Sequence, residues 1–182
     1  SAFSNVESIE GQLIFLDLYA SNNFEGFHRL KAMKGGLLLV NVEAEGLWGF
    51  DSLERVDKEI MISDSNLETL GDLKKAKGEI SVLSIQYNEN LKSLEGLQNI
   101  GPDSSWNILA YDINMNPRLE SLRGMENMTL SHNGHGFISE NENLNDCAVK
   151  SVCEALLNGL NLLIWDNAVG CNSNEEVLRE CL

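Results

Sequence analysis

The segment "NENLKSLEGLQNI" at residues 88–100 returns 28 residues later as "NPRLESLRGMENM" at residues 116–128. Six of the thirteen positions are identical, and they comprise two asparagines, two leucines, a serine and a glycine. Self-similarity at a fixed period of this size is the sequence signature of solenoids and other repeat architectures. The segment therefore predicts a chain built from stacked structural repeats.

A column of apolar residues extends this period through the chain. Taken from each β-branched, strand-like run, it consists of Leu18, Val42, Ile62, Ile85, Ile113, Ile138 and Ile164. Its members are separated by 24, 20, 23, 28, 25 and 26 residues, mostly within the roughly 20–29 residues of leucine-rich-repeat coils. A second column, apolar except for its glycine, lies two residues earlier: Leu16, Val40, Ile60, Leu83, Tyr111, Gly136 and Leu162. Apolar residues at every second position predict strands with one buried face.

After each strand, apolar residues recur at a spacing of three. The first such column is Phe24, Leu47, Leu67, Leu91, Leu119 and Leu144. The second is Phe27, Phe50, Leu70, Leu94, Leu122 and Cys147, and the third is Leu30, Leu53, Leu73, Leu97 and Met125. Residues three apart share one face of a 3₁₀ or single-turn helix, so the chain is expected to return through short helical pieces.

A polar column marks the point where each strand must turn: Ser21, Glu45, Ser65, Asn88, Asn116, Asn141 and Asn167. Asn and Ser favour such corners because their side chains bond nearby backbone groups, and Asn tolerates a left-handed backbone. Stacked asparagines are also able to bond one coil to the next. We therefore expect these residues to be architectural and not catalytic, and Gly96 to ease the return of the chain.

Together these columns predict an α/β solenoid. A single coil cannot bury its own apolar face, so neighbouring coils stack into one continuous core. We expect one domain over residues 1–182, with about seven coils of parallel β-helix at 12–145 and a C-terminal cap at 146–182. The longest step carries an insertion, "GPDSSWN", at 101–107, which is expected to be a tolerated loop more than a binding loop.

The C-terminal cap is expected to contain two helices and two disulfides. "DCAVKSVCEALL" has helical apolar spacing with Asp146 as its expected N-cap, and Ser173 with Glu176 has capping-box spacing. All four cysteines lie in the last 36 residues without a CxxC pair, a pattern that favours disulfides over zinc or free thiols. Superposing Asn141 on Asn167 favours the pairs Cys147–Cys171 and Cys153–Cys181 among the three possible pairings.

Composition restricts the classes of partner. The formal net charge is −15, which argues against nucleic acid, because binding a polyanion requires clustered Lys and Arg. We find no signal-peptide pattern and no apolar run long enough to cross a bilayer. The paired cysteines nevertheless predict an exported, extracellular or cell-surface protein. We expect a monomer that needs no cofactor and no metal.

The repeated "NxxLxSLxGLxN" phrase and the ending "NENLNDCAVKSVCEAL…IWDNAVGCNSNEEVLREC" resemble leucine-rich-repeat-like proteins of receptor L-domain type on bacterial cell surfaces. The resemblance covers nearly the whole chain. It implies a right-handed parallel β-helix, a surface location and a role in adhesion or recognition of a host or neighbouring-cell protein or glycan. The first coils depart from this pattern, because they use Phe and Trp where later coils use Leu.

The outward strand positions are the candidate binding site. Those flanking the anchor column include Tyr19, Glu43, Gln86, Asp112 and Asn114, which we expect to bind a glycan or peptide; the alternative is an ordinary solvated sheet face. His132 and His135 are expected to be loop residues without a third metal ligand. Trp48 and Trp106 fit a packing role as well as a sugar-binding one.

Three functions are compatible with these observations. The first is a non-catalytic recognition or adhesion domain, which the absence of catalytic motifs favours. The second is a carbohydrate-active β-helix enzyme. Asp112 and Glu43, however, are predicted to be roughly 14 Å apart across two intervening coils, beyond the range of paired glycosidase carboxylates. The third is a structural spacer that separates another domain from the surface.

Overall fold

The computed structural model of the protein describes residues 3–19, 24–101 and 108–182. The strands are β1 (Ser8–Ile9), β2 (Leu13–Leu18), β3 (Ala32–Met33), β4 (Gly36–Val42), β5 (Arg55–Val56), β6 (Lys58–Ser63), β7 (Ile80–Gln86), β8 (Ile108–Asn114), β9 (Leu130–Ser139) and β10 (Leu162–Trp165). The helices are α1 (Lys150–Leu157) and α2 (Asn174–Glu180), with short 3₁₀ helices at Glu25–Phe27 and Gly71–Leu73.

The chain forms a parallel β-solenoid of about six turns. Seven strands form one parallel sheet in the order β10-β9-β8-β7-β6-β4-β2, and β1-β3-β5 form a narrow second sheet. Parallel neighbours require a crossover connection, and each crossover here is one return segment. The seven predicted coils correspond to seven strands, but seven strands enclose only six connections, so the number of turns is smaller by one.

The predicted apolar columns form the core. The three columns of the return segments are buried throughout the described residues. Backbone hydrogen bonds join residues three apart within them, as from Leu97 N to Leu94 O at 3.1 Å and from Met125 N to Leu122 O at 3.1 Å. This is the 3₁₀ pattern that the spacing of three predicted.

Strand register in the first two coils differs from the sequence prediction. Phe15 pairs with Leu39, and Leu39 pairs with Ile62, so these residues form the inward column. In β2 and β4 this column lies three positions before the predicted anchors Leu18 and Val42. An odd shift exchanges the two faces of a strand. Leu16, predicted to be inward, is therefore exposed on the outer side.

Leu18 and Val42 instead occupy the corner column. The prediction of Glu45 as a corner residue is consequently wrong, and Ser21 lies outside the described residues. In the register of the structure, the residue before each corner has a positive φ between 52° and 56°: Asp17, Asn41, Asp64, Tyr87, Met115, Glu140 and Asp166. Non-glycine residues hold such angles only where surrounding contacts determine them.

From the corner at Val42 onward those contacts come from the corner ladder, defined here as Ser65, Asn88, Asn116, Asn141 and Asn167. Each ladder side chain accepts a hydrogen bond from the backbone N–H of the preceding coil's corner residue, at 3.0–3.2 Å. Each asparagine amide also donates to a strand carbonyl of the preceding coil, as from Asn116 Nδ2 to Ile85 O at 2.8 Å. The ladder thus joins the coils through side chains that are largely buried.

Gly136, the exception in its column, is explained by its neighbours. A Cβ at this position would overlap Leu162 Cδ1 and approach Tyr111 Cδ2 to 3.1 Å. Tyr111 is fully buried in the same column, so its ring fills the volume that a larger residue at position 136 would need. Gly96 also behaves as predicted, because its φ is +118° and a Cβ there would overlap the carbonyl group of Leu70.

The C-terminal end is closed by the two helices and both predicted disulfides. Cys147 pairs with Cys171, and Cys153 pairs with Cys181. The Asn174 side chain makes two of the hydrogen bonds that a further strand would make to β10. It accepts from Ile164 N and donates to Leu162 O, each at 2.8 Å.

The predicted helix caps have different outcomes. The Ser173 cap is confirmed, because its Oγ accepts from Glu176 N at 3.2 Å. The prediction for Asp146 was wrong, since α1 begins after Val149 and Asp146 instead accepts from Ser121 and Arg123. Across the described ranges, neither helix has the length and apolar content needed to cross a bilayer.

Candidate functional site

The outer face of the seven-stranded sheet is the main candidate site. It is formed by the side chains on either side of the inward column of each strand. One row is Ile14, Leu38, Met61, Ser84, Asp112, Phe137 and Leu163, and the other is Leu16, Val40, Ser63, Gln86, Asn114, Ser139 and Trp165. Along the solenoid, this outer face changes from aliphatic through polar to aromatic.

Large apolar side chains at both ends of the outer face are solvent-exposed. Ile14 is 47% and Leu16 63% exposed at the N-terminal end, and Leu163 is 48% and Trp165 37% exposed at the C-terminal end. Parallel sheets normally have both faces covered. An uncovered apolar face of this kind is a mark of an interaction surface.

The polar centre of the outer face is a hydrogen-bonded cluster around Asp112. One carboxylate oxygen accepts from the Gln86 amide, which also donates to Ser84 Oγ at 3.0 Å. The other accepts from Asn114 Nδ2 at 2.6 Å. Strand pairing places Ser84 beside Asp112 and Gln86 beside Asn114, so the sheet register fixes the cluster before any ligand arrives.

The Asp112 carboxyl is partly desolvated by its neighbours. This burial raises its pKa, and the nearby His135 acts in the opposite direction. Asn114 Oδ1 is buried and has no hydrogen-bond partner among the described residues. With the amide donors of Gln86 and Asn114 directed at Asp112, Asn114 Oδ1 remains an acceptor without a donor among the described residues.

Aromatic side chains border this cluster on the C-terminal side. The rings of Phe137 and Trp165 are 6.0 Å apart in an edge-to-face arrangement, and those of His135 and Phe137 are 5.7 Å apart. Strand pairing places Phe137 next to Asp112. The arrangement provides flat apolar surface beside polar groups, which suits a sugar ring or an aromatic side chain of a protein.

The structure brings three of the five predicted binding residues together. Gln86, Asp112 and Asn114 form the polar centre, as described above. The placement of Tyr19 and Glu43 on the outer face was wrong, because the register shift moves both beyond the corner. There the Tyr19 hydroxyl accepts from Asn41 Nδ2 at 2.7 Å.

At the corners, directly before or after the corner residue, lies a row of carboxylates, the acidic edge: Asp17, Glu43, Asp64, Glu89, Glu140, Glu142 and Asp166. All seven are exposed, and none forms an ion pair within the described ranges. A groove of about 510 Å³ follows this edge, and Tyr87, Met115 and Pro117 contribute its apolar lining. Sequence reasoning missed this edge although five of its seven carboxylates adjoin correctly predicted corners; the available signal is the run of acidic residues beside the Ser and Asn corners.

The structure also gives the positions of three of the four histidine and tryptophan candidates. His132 and His135 lie in strand β9, so the loop prediction was wrong. In the part of the chain that is described, no three His, Cys, Asp or Glu side chains form a metal-binding group. Trp48 is half exposed and lines a shallow depression with His28. Trp106 and most of the 101–107 insertion lie outside the described residues.

Within the polar centre, Asp112 is the one carboxylate, whereas glycoside hydrolysis usually employs two. The arrangement is chemically able to form hydrogen bonds and apolar contacts with a ligand. Comparison with family models, curated proteins and solved structures found no match for this chain.

Proposed function

We propose that this protein is a non-catalytic extracellular recognition or adhesion domain that binds a protein or glycan through the outer face of its sheet. We further propose that the solenoid is right-handed and of leucine-rich-repeat, receptor L-domain type. The observation that carries the proposal is the exposure of large apolar and aromatic side chains on the outer face.

Energetics support a binding role for this face. Leaving a large apolar side chain in water forgoes roughly 1.5–3 kcal/mol relative to its full burial. Four such side chains are exposed on the outer face, two on β2 and two on β10. Their exposure is a persistent cost, whereas a partner that covers them recovers part of this energy. A structural spacer has no need of such a surface, which is why we favour recognition.

The polar centre supports specificity. Gln86 and Asn114 are already oriented by Asp112, so these two side chains would lose little conformational entropy when a ligand binds there. Aromatic residues such as Phe137 and Trp165 are enriched in the cores of binding interfaces.

Two features support the proposed location and family type. The two disulfides near the C-terminus are typical of proteins from oxidising compartments. The L-domain type is supported by the sequence resemblance of the repeated phrase and the C-terminal ending.

The test is binding of the purified domain to arrays of extracellular proteins and glycans, followed by affinity measurements. An outer-face variant, Gln86→Ala with Trp165→Ala, should weaken a specific interaction by at least about tenfold, as removal of central contacts usually does. A control variant, Lys75→Ala with Glu95→Ala, changes exposed residues of the return segments and should retain affinity. Equal loss in both variants, or loss in the control alone, would refute the proposal.

A further inference from the structure

Charge is distributed unevenly around the outer face. In each coil, the residues two and four positions after the inward strand residue lie at this edge, and the structure describes all of them. Half of these residues are the carboxylates of the acidic edge. The others are Asn41, Tyr87, Met115, Tyr19, Asn66, Pro117 and Ala168, so Lys, Arg and His are absent from the whole row. Lysines are found instead at the opposite ends of the strands, as at Lys34 and Lys58.

An aliphatic patch borders this edge. It consists of Ile14, Leu16, Leu38, Val40 and Met61, which strand pairing places side by side on β2, β4 and β6. Leu16 precedes Asp17 directly, and Met61 is followed closely by Asp64. The patch and the acidic edge therefore form one continuous surface, on which an apolar area gives way to carboxylates.

The groove along the acidic edge has a composition suited to long cationic side chains. Tyr87 is nearly half exposed in its lining. Its ring, with Met115 and Pro117, offers apolar surface to the methylenes of Lys or Arg, and carboxylates in the same lining are available to the charged groups. Because none of these carboxylates has a cationic partner within the described chain, a cationic partner gains electrostatic energy without breaking an existing ion pair.

We propose that the aliphatic patch and the acidic edge together dock a polypeptide segment that presents aliphatic side chains beside a row of Lys or Arg. This inference rests on the proposed recognition function and specifies its partner. Charge complementarity selects the occupant, since the edge repels anionic lipids and nucleic acids, and a second copy of this chain, with net charge −15, is repelled as well.

The test uses three synthetic ten-residue peptides in fluorescence binding and stopped-flow experiments: alternating Leu and Lys, alternating Leu and Glu, and alternating Ser and Lys. We expect the Leu–Lys peptide to bind at least about tenfold more tightly than either of the others. Its association rate should fall as salt is raised, since exposed charges steer encounter and are screened.

Two variants separate the contributions. The edge variant, Asp64→Asn with Glu140→Gln and Asp166→Asn, should slow association of the Leu–Lys peptide about fivefold. Its charge-matched control is Glu54→Gln with Glu95→Gln and Glu120→Gln.

The patch variant, Leu16→Thr with Val40→Thr, should instead speed dissociation by a similar factor. Its control, Leu157→Ser with Val169→Ser, changes exposed apolar residues elsewhere.

Equal binding of the Leu–Glu peptide would overturn this inference, as would variants that behave like their controls. If array ligands depend on the outer face but contain no cationic segment, this inference fails while the proposed function stands. If array ligands ignore the outer face, the proposed function fails as well.

Discussion

Replacing Asn116 by Ala should show how strongly the corner ladder stabilises the solenoid. Asn116 is fully buried at the centre of the ladder. Its Oδ1 accepts from Asn88 N at 3.1 Å, and its Nδ2 donates to Ile85 O at 2.8 Å and to Asn114 O at 3.0 Å. Alanine removes these three bonds and also the bonds from Asn88 Nδ2 and to Asn141 Oδ1, each at 3.1 Å. The last two partners keep other hydrogen bonds, so they add little to the cost.

The expected cost follows from what each group loses. The buried Asn88 N–H would be left without an acceptor, which costs about 1–3 kcal/mol. Asn114 O retains a bond from Tyr87 N at 3.2 Å, so the two lost donations contribute about 1 kcal/mol each. We therefore expect the free energy of unfolding to fall by roughly 3–5 kcal/mol, a large part of a typical domain's stability.

A serine at the same position should cost less. Ser65 occupies an equivalent corner, where its Oγ accepts from Val42 N at 3.2 Å and donates to Ser63 O at 2.9 Å. Asn116→Ser can form the corresponding bonds to Asn88 N and Asn114 O and loses the bond to Ile85 O. We expect a loss of about 1–2 kcal/mol for this variant.

The measurement is equilibrium urea unfolding, followed by circular dichroism and tryptophan fluorescence to verify a single transition. Asn133→Ala, at an exposed position in β9, is the control and should change stability by less than about 0.5 kcal/mol. The reasoning is refuted if Asn116→Ala costs less than about 1 kcal/mol, or if serine is as harmful as alanine.

Three further predictions concern the core, the cap and pH. Gly136→Val should lower stability by about 1–3 kcal/mol through overpacking against Tyr111, measurable by urea unfolding; an unchanged midpoint would contradict the packing account. Cys153→Ser with Cys181→Ser opens a 28-residue loop and should cost about 3 kcal/mol, seen as a lower melting temperature in calorimetry. Backbone N–H groups lower the pKa of Glu176 below its ordinary value, so its contribution is present above that value and lost as pH falls through the lowered pKa. Glu176→Gln should flatten this acid branch of stability against pH, and an unaltered branch would refute the assignment.

The sequence predicted the solenoid because most coils combine several independent signals. From β6 onward, alternating apolar residues, a Ser or Asn corner and the spacing of three agree on one register, and the structure has that register. The disulfide pairing also followed from superposing neighbouring coils. These features depend on local spacing, which stacked repeats preserve.

The first two coils were misregistered for a physical reason. Their corners are Leu18 and Val42 in place of Ser or Asn, and β2 and β4 are apolar on both faces. Periodicity alone cannot choose a face for such strands. The same error placed Tyr19 on the outer face and concealed the aliphatic patch, whereas the polar centre lay in coils with unambiguous corners.

Hydroxyl-radical footprinting of the protein, alone and with an array ligand bound, tests the central proposal most directly. Leu16, Leu163 and Trp165 are exposed on the outer face, while Leu157 and Val169 are exposed elsewhere. The proposed function predicts that ligand binding lowers the oxidation rate of at least one outer-face group and leaves Leu157 and Val169 unchanged. Protection of Leu157 or Val169, with the outer face oxidised as in the free protein, would contradict it.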